Sequence, residues 1–482
     1  MTTFLHTRRN SALSLLVILA LGLGLLVSVK LAAHASGTAA ITLSPAFGPQ
    51  TTPVTVNGTG FGATEGITVT FEANQVATAT TDATGAFTAT FTVPKSALTG
   101  PRPVKATGTT SLLFASTNFL VQADWPKFGY DENNSHLNPY EDTTTRGDVR
   151  HVTFYWRNTI GEQASGTSAF RSSPVEVNGI VYIGSSTGDF FALNAYTGAK
   201  LWKFFPTTGG SFLSTALVAN GVVYVGSTDH NVYALNATTG AVLWTFTTGG
   251  AIDASPVIDS NGVVYIGSND DNLYAINTST HLQVWKFTTG GAIHSSAAVS
   301  NGVVYVGSND DSLYAINTST GLKVWSYATG APVISSPAVG TKLVYVGSTD
   351  DNLYAINITS GLKTWAFTTG GQILSSPALA YGFVYIGSTD DSLYAVNAIS
   401  GVKRWSAATG APIGYSTPTL ADDMVFIGST DMKVYAYDFK LGTVLWSYTT
   451  GNIIESSPIV VNGAIIFSSE DGKITDYHNH LG

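Results

Sequence analysis

Five side chains with chemical potential recur at one place in a repeated pattern: Arg171, Asp253, His294, Tyr415 and Glu455. Each stands directly before a triplet of the Ser-Ser-Pro kind. The same place in other copies holds Leu213, Ile334 and Leu374. Converging polar groups in a concave site are the usual equipment for binding a ligand or peptide. His294 alone could act as a base or metal ligand, but no second His occupies an equivalent place. A second set is acidic: Asp270 and Asp271, Asp310 and Asp311, Asp350 and Asp351, Asp390 and Asp391, joined by Asp229 and Asp431. Such a crown can attract cations or a basic partner. It lacks the alternating oxygen ligands of an EF-hand loop, and Asp in a β-turn commonly bonds its own backbone. No hydrolase triad, Walker loop or zinc spacing is present.

The elements that position these residues are strands. The glycine of a [YF]-[IV]-G-S motif falls at Gly184, Gly226, Gly267, Gly307, Gly347, Gly387 and Gly428, with a worn copy at Phe467-Ser468-Ser469. A period near 40 residues with several strands per unit predicts a propeller. In the unit from Ala251, AIDASPVID is strand A and GVVYIGS strand B, joined by a tight Asn261-Gly262 turn. NLYAIN is strand C and LQVWKFTT strand D. Asn-Gly, the strongest short hairpin signal, recurs at 178–179, 220–221, 301–302 and 462–463. Strand A is innermost, so the eight positions before the triplets form a ring at the channel mouth, on the same face as the acidic B–C turns.

Tryptophans count the blades: Trp156, Trp202, Trp244, Trp285, Trp325, Trp365, Trp405 and Trp446. Trp156 precedes the first motif copy and no Trp follows the last. Residues 152–159 are therefore expected to complete the blade begun by 455–479, which removes exposed sheet edges. Ala234-Leu235-Asn236-Ala237-Thr238-Thr239-Gly240-Ala241-Val242-Leu243-Trp244 matches the pattern A-x-[DN]-x-x-T-G-x-x-x-W. On that motif the chain from His151 onward resembles the pyrroloquinoline-quinone (PQQ)-type repeat family of eight-bladed propellers. The resemblance implies a structural docking role for the tryptophans. It also implies one of two trades, quinoprotein dehydrogenase or non-enzymatic scaffold such as the propeller lipoprotein of the β-barrel assembly machinery. The larger dehydrogenases carry an adjacent cysteine pair, long insertions and a calcium site; this chain has no cysteine and nearly uniform blades.

Upstream, residues 38–122 alternate apolar and polar residues between Gly, Pro and Asn turns, which predicts a small β-sandwich. Phe87, Ala89, Phe91 and Val93 share one face. Val56-Asn57-Gly58-Thr59-Gly60-Phe61 and the TTDATGAFTATFTVP run (residues 80–94) resemble Ig-like modules of bacterial surface proteins. Residues 123–150 read as a lead-in loop that caps or wraps the next domain, and 151–482 as the propeller. The stretch 1–35 reads as a signal peptide or membrane anchor: Arg8 and Arg9, an uncharged apolar run over 11–29, then Ala33-His34-Ala35. The bulk of the chain is then expected outside the cytoplasm. Charged residues are 11% and the net charge is −9, a balance unsuited to nucleic acid.

The expectation is an all-β, monomeric, extracytoplasmic binding or scaffold protein without a catalytic centre, metal or cofactor, binding a protein or ligand through the channel mouth. The alternative is a quinoprotein oxidoreductase with PQQ and calcium at Asp253, His294 and Glu455.

Overall fold

Alternating apolar residues and turn residues that tolerate left-handed backbone make this an all-β chain. The computed structural model describes residues 38–159 and 170–478. Their only helix is the 3-10 turn Val149–His151. Residues 1–37, where the signal peptide or anchor is expected, lie outside the described residues. No described helix is long and apolar enough to cross a membrane. From Ala39 onward the chain is one compact unit.

That unit opens with two sheets. One contains Ala40–Ser44, Pro53–Thr59 and Phe87–Thr92. The other orders Phe47–Gly48, Phe114–Val121, Gly100–Gly108, Gly66–Phe71 and Asn74–Thr80. Phe87, Ala89, Phe91 and Val93 are all buried, packed with Val54, Val56, Phe71 and Phe119. The period of two puts every second side chain inside.

Eight blades follow, seven of four strands and one, blade 7, extended to five by Leu137–Asn138 of the lead-in. Blade 4 is typical, with strands A to D at Ala298–Ser300, Val303–Ser308, Ser312–Asn317 and Lys323–Ala328. Strands A of neighbouring blades touch, so they line the axis. Blade 8 takes Ile459–Val461, Ala464–Ser469 and Lys473–His478 from the C-terminal end, and Thr153–Asn158 pairs antiparallel with the last of these as strand D. Two details differ from the sequence reading. Strand A of blade 3 is only Val257–Ile258, because the residues before it bond to the next blade rather than to strand B. Asn261 is not left-handed: the Asp259 carboxylate accepts the Asn261 and Val263 N–H groups, making a longer turn. The other four Asn-Gly pairs all have positive φ at both residues.

Each docking tryptophan sits on strand D; seven reach the C–D turn of the next blade, and Trp446 instead packs on Tyr477 of blade 8. Trp325 Nε1 donates to Ile358 O at 2.9 Å, and Trp156, Trp202, Trp285, Trp365 and Trp405 repeat the contact. The turn's glycine is required: Gly361 has φ +68°, and a Cβ there would lie 2.8 Å from the Trp325 ring. Blade 3 has His281 at this place, and its ring stacks on Trp244 at 5.2 Å. The [YF]-[IV]-G-S glycine has a parallel reason. A Cβ on Gly347 would lie 2.2 Å from Ile373 of the next blade.

The lead-in is a plug. Trp125 exchanges backbone hydrogen bonds with Glu176 of blade 1, and Pro126 O accepts from Val218 N of blade 2. Carbonyls of Glu132, Asn133, Ser135 and His136 then accept from strand A of blades 4 to 7, at Val299, Val339, Leu379 and Leu420. Asn138 Nδ2 donates to Val460 O of blade 8. Lys127, buried under this turn, donates to Phe128 O, Asp131 O and Asn134 Oδ1. Further along, Arg146 pairs with the buried carboxylate of Asp438. Inner-strand N–H groups that would otherwise face an empty channel are thereby paired.

Replacing Trp325 with Ala should lower stability by ~3–5 kcal/mol, as for a buried aromatic. Chemical unfolding measures this, and an unchanged midpoint would remove the docking role.

Candidate functional site

The Ser-Ser-Pro triplet contains two different connectors. Its first hydroxyl works within a blade: Ser335 Oγ accepts from Gly347 N on strand B at 3.1 Å, and Ser295, Ser214 and Ser416 do likewise. Its second hydroxyl works between blades. Ser173 N donates to Thr215 Oγ1, Thr215 N to Ser255 Oγ, Ser255 N to Ser296 Oγ and Ser296 N to Ser336 Oγ. Ser336 N donates to Ser376 Oγ, Ser376 N to Thr417 Oγ1, Thr417 N to Ser457 Oγ and Ser457 N back to Ser173 Oγ. Eight bonds of 2.8–3.3 Å form a closed belt around the axis.

Two residues before each belt residue stands a ring residue. All eight, Arg171, Leu213, Asp253, His294, Ile334, Leu374, Tyr415 and Glu455, line one cavity of about 320 Å³. Phe128 of the plug also lines it, so the channel is a blind cup at this end. Phe128 meets His136 edge-on at 4.8 Å. Burial, with Lys127 nearby, pulls His136 down to about 3, so its ring is neutral.

The polar ring members pair with their neighbours. His294 Nδ1 lies 3.2 Å from Asp253 Oδ2, which also accepts from Asn269 Nδ2 at 3.0 Å. Burial opposes ionisation of Asp253, but His294 and Asn269 outweigh it and hold the carboxyl below its ordinary value. Arg171 Nε donates to Glu470 Oε1 at 3.0 Å and lies 3.0 Å from Glu455 Oε2. Burial and the adjacent Glu470 raise Glu455 against the pull of Arg171. Ile334 and Leu374 form an apolar wall between these poles, and Leu213 stands opposite.

The acidic crown is mostly turn chemistry. Asp350 Oδ2 accepts from Tyr354 Oη at 2.7 Å and from Gly330 N at 2.6 Å. Asp270, Asp310 and Asp390 repeat both contacts. Asp271, Asp311, Asp351 and Asp391 adopt left-handed backbone, and their carbonyls accept from Thr289, Thr329, Thr369 and Thr409. Burial acts to raise Asp350, yet hydrogen bonds from Tyr354, Gly330 and Asn352 keep it below 3.8.

Sequence reasoning named the eight positions that line this cavity and missed the belt, the Phe128 floor, the partners Glu470 and Asn269, and Asn309 on the wall. A signal existed for some of these. Ser or Thr recurs at one phase in all eight repeats, and Asn269, Asn309 and Glu470 stand where four other repeats have Thr. A larger hollow, about 450 Å³, lies between Pro49–Gln50 and blades 1 and 2. Asp124 is its only charged residue, so it offers less chemistry than the cup.

These features define an eight-bladed propeller with one end of its channel plugged and the other open as a small polar cup. The chain belongs to the beta-propeller family described for the beta-alanine-activating enzyme, which matches residues 168–423, just over half of the sequence. No curated protein matches the chain significantly. Among solved structures, it is similar to quinohemoprotein alcohol dehydrogenase from Comamonas testosteroni, with 17% identity, a TM-score of 0.64, and coverage of 74% of this chain and 80% of that one. It is similar to BamB from Moraxella catarrhalis at 18% identity and TM-score 0.58, covering 69% and 98%. It is also similar to a europium-containing methanol dehydrogenase at 13% identity and TM-score 0.62, covering 74% and 98%. At these identities the likeness is one of fold.

Two outcomes test the frame. Ser336→Ala strands the buried Ser296 N–H and should cost ~1–3 kcal/mol. Ser336→Thr should be nearly neutral by the same unfolding assay, since Thr215 and Thr417 already serve in the belt. Asp350, depressed in the folded state, contributes stability above its ordinary value of 3.8 that is lost as the pH falls below it. Asp350→Asn should therefore destabilise the protein at about pH 7 and hardly at all at about pH 2.

Proposed function

We propose that the protein is a non-catalytic binding or scaffold protein that holds a ligand or partner in the axial cup, outside the cytoplasm and as a monomer. One observation carries this reading. Eight equivalent positions on an otherwise uniform frame line one cavity, and these are where the repeats differ. Uniform belt residues fix the frame; varied ring residues give the cup its own chemistry. The extracytoplasmic placement follows the charge and apolar pattern of residues 8–35.

The competing reading is a quinoprotein oxidoreductase, and the similar folds of two dehydrogenases speak for it. The cup's donor set does not fit PQQ, a tricarboxylate. Its one guanidinium, Arg171, is already held by Glu455 and Glu470. Calcium takes about 6–8 oxygen ligands, and the groups set against Asp253 are both nitrogens, His294 Nδ1 and Asn269 Nδ2. Among the described residues no three His, Asp or Glu side chains are grouped to hold a metal ion.

Protein incubated with PQQ and calcium and then dialysed should retain no quinone absorbance and reduce no dye with alcohols or sugars. Retained cofactor with turnover would overturn the binding-protein reading.

A further inference from the structure

The chemistry of the cup narrows its occupant. Two carboxylates, Glu455 and Glu470, hold the one guanidinium, Arg171, and a third, Asp253, stands at the other pole beside His294. Three side-chain acceptors of the site also lack a donor. Asp253 uses Oδ2 for His294 and Asn269 and leaves Oδ1 with no donor. Arg171 Nε donates to Glu470, which leaves Glu455 Oε2 without an aligned donor despite its 3.0 Å approach. Asn309, on the cup wall, likewise has a side-chain oxygen without a partner. Between the acidic poles the wall is Ile334 and Leu374, above the Phe128 floor.

We infer that the cup binds a primary ammonium group on a short apolar stem, the ammonium at the Asp253 pole and the stem against Ile334, Leu374 and Phe128; this rests on the binding-protein reading above. An ammonium brings three donors and no acceptor, which suits these unpartnered acceptors. A carboxylate or phosphate would meet uncompensated negative charge. The same face carries the crown carboxylates, held ionised by their turn hydrogen bonds at Asp229, Asp270 and Asp350. Their field draws cations toward the mouth and weakens with salt. The ammonium can belong to a free amine or to a lysyl side chain of a partner.

Calorimetric titration of the full chain separates these cases, using n-hexylamine, 1-hexanol, hexanoate and Nα-acetyl-lysine N-methylamide. At least one amine should bind about tenfold or more tighter than hexanol, a difference expected of one desolvated charge pair. Hexanoate should not bind. Hexylamine binding points to a free amine, and binding of the lysine derivative alone points to a protein side chain; both support the inference. Asp253→Asn should weaken binding roughly tenfold. Leu374→Trp, which fills the cup without changing its charge, should abolish binding while the unfolding midpoint holds. Amine binding that survives Leu374→Trp overturns the inference. Hexanol or hexanoate binding as tightly, and lost in Leu374→Trp, overturns the ammonium but leaves a binding cup. If none of these probes, nor glucose or PQQ, binds in a Leu374→Trp-sensitive way, the binding-protein reading falls as well.

Discussion

A closed circle of eight backbone N–H to hydroxyl bonds holds the inner ends of the blades at one radius. Each bond alone contributes about 0.5–1.5 kcal/mol. Their joint effect is geometric. Because the eighth donor, Ser457, reaches the first acceptor, Ser173, no blade can shift without breaking two bonds. The preceding hydroxyl of most triplets ties strand A to strand B, so belt and blade are locked by adjacent residues. One residue earlier, the side chain is free of both duties. That freedom explains why position 334 is Ile, 294 is His and 171 is Arg on the same backbone.

The outer closures serve the same ring at larger radius. Tryptophan indoles donate across six of the eight blade boundaries, and Trp156 carries this contact from blade 8 to blade 1. Thr153–Asn158 completes blade 8, so both ends of the propeller chain are held in one sheet. The plug then pairs the inner strands at one end of the axis, turning a channel into a cup with Phe128 as its floor. Binding chemistry is left one place to vary, the open mouth, and there the side chains sort into two acidic poles and an apolar wall.

Much of this was legible from residues. The glycine steps, the phase of Trp156 and the Asn-Gly turns imply eight blades and their closure, because each is a local requirement repeated in register. The ring was legible as a set of positions. Its pairings were not: Arg171 and Glu470 are far apart in sequence, and although Glu470 stands where other repeats have Thr or Asn, nothing there names Arg171 as its partner. The plug was illegible in detail because its bonds come from backbone carbonyls, which carry no side-chain signature. Asn261 misled for a related reason. Asp259, two residues earlier, captures the turn's N–H groups, and the Asn-Gly signal is overridden. The crown aspartates were visible as charge, while their service to Tyr274, Tyr314, Tyr354 and Tyr394 depended on the turn's three-dimensional shape.

Amide hydrogen exchange at the eight belt residues tests the closed ring most directly. If the belt is one cooperative unit, the amides of Ser173, Thr215, Ser255, Ser296, Ser336, Ser376, Thr417 and Ser457 should exchange only through global unfolding, with equal and maximal protection. Protection that falls off toward Ser457 and Ser173 would show an open array fraying at its seam, and would contradict the account.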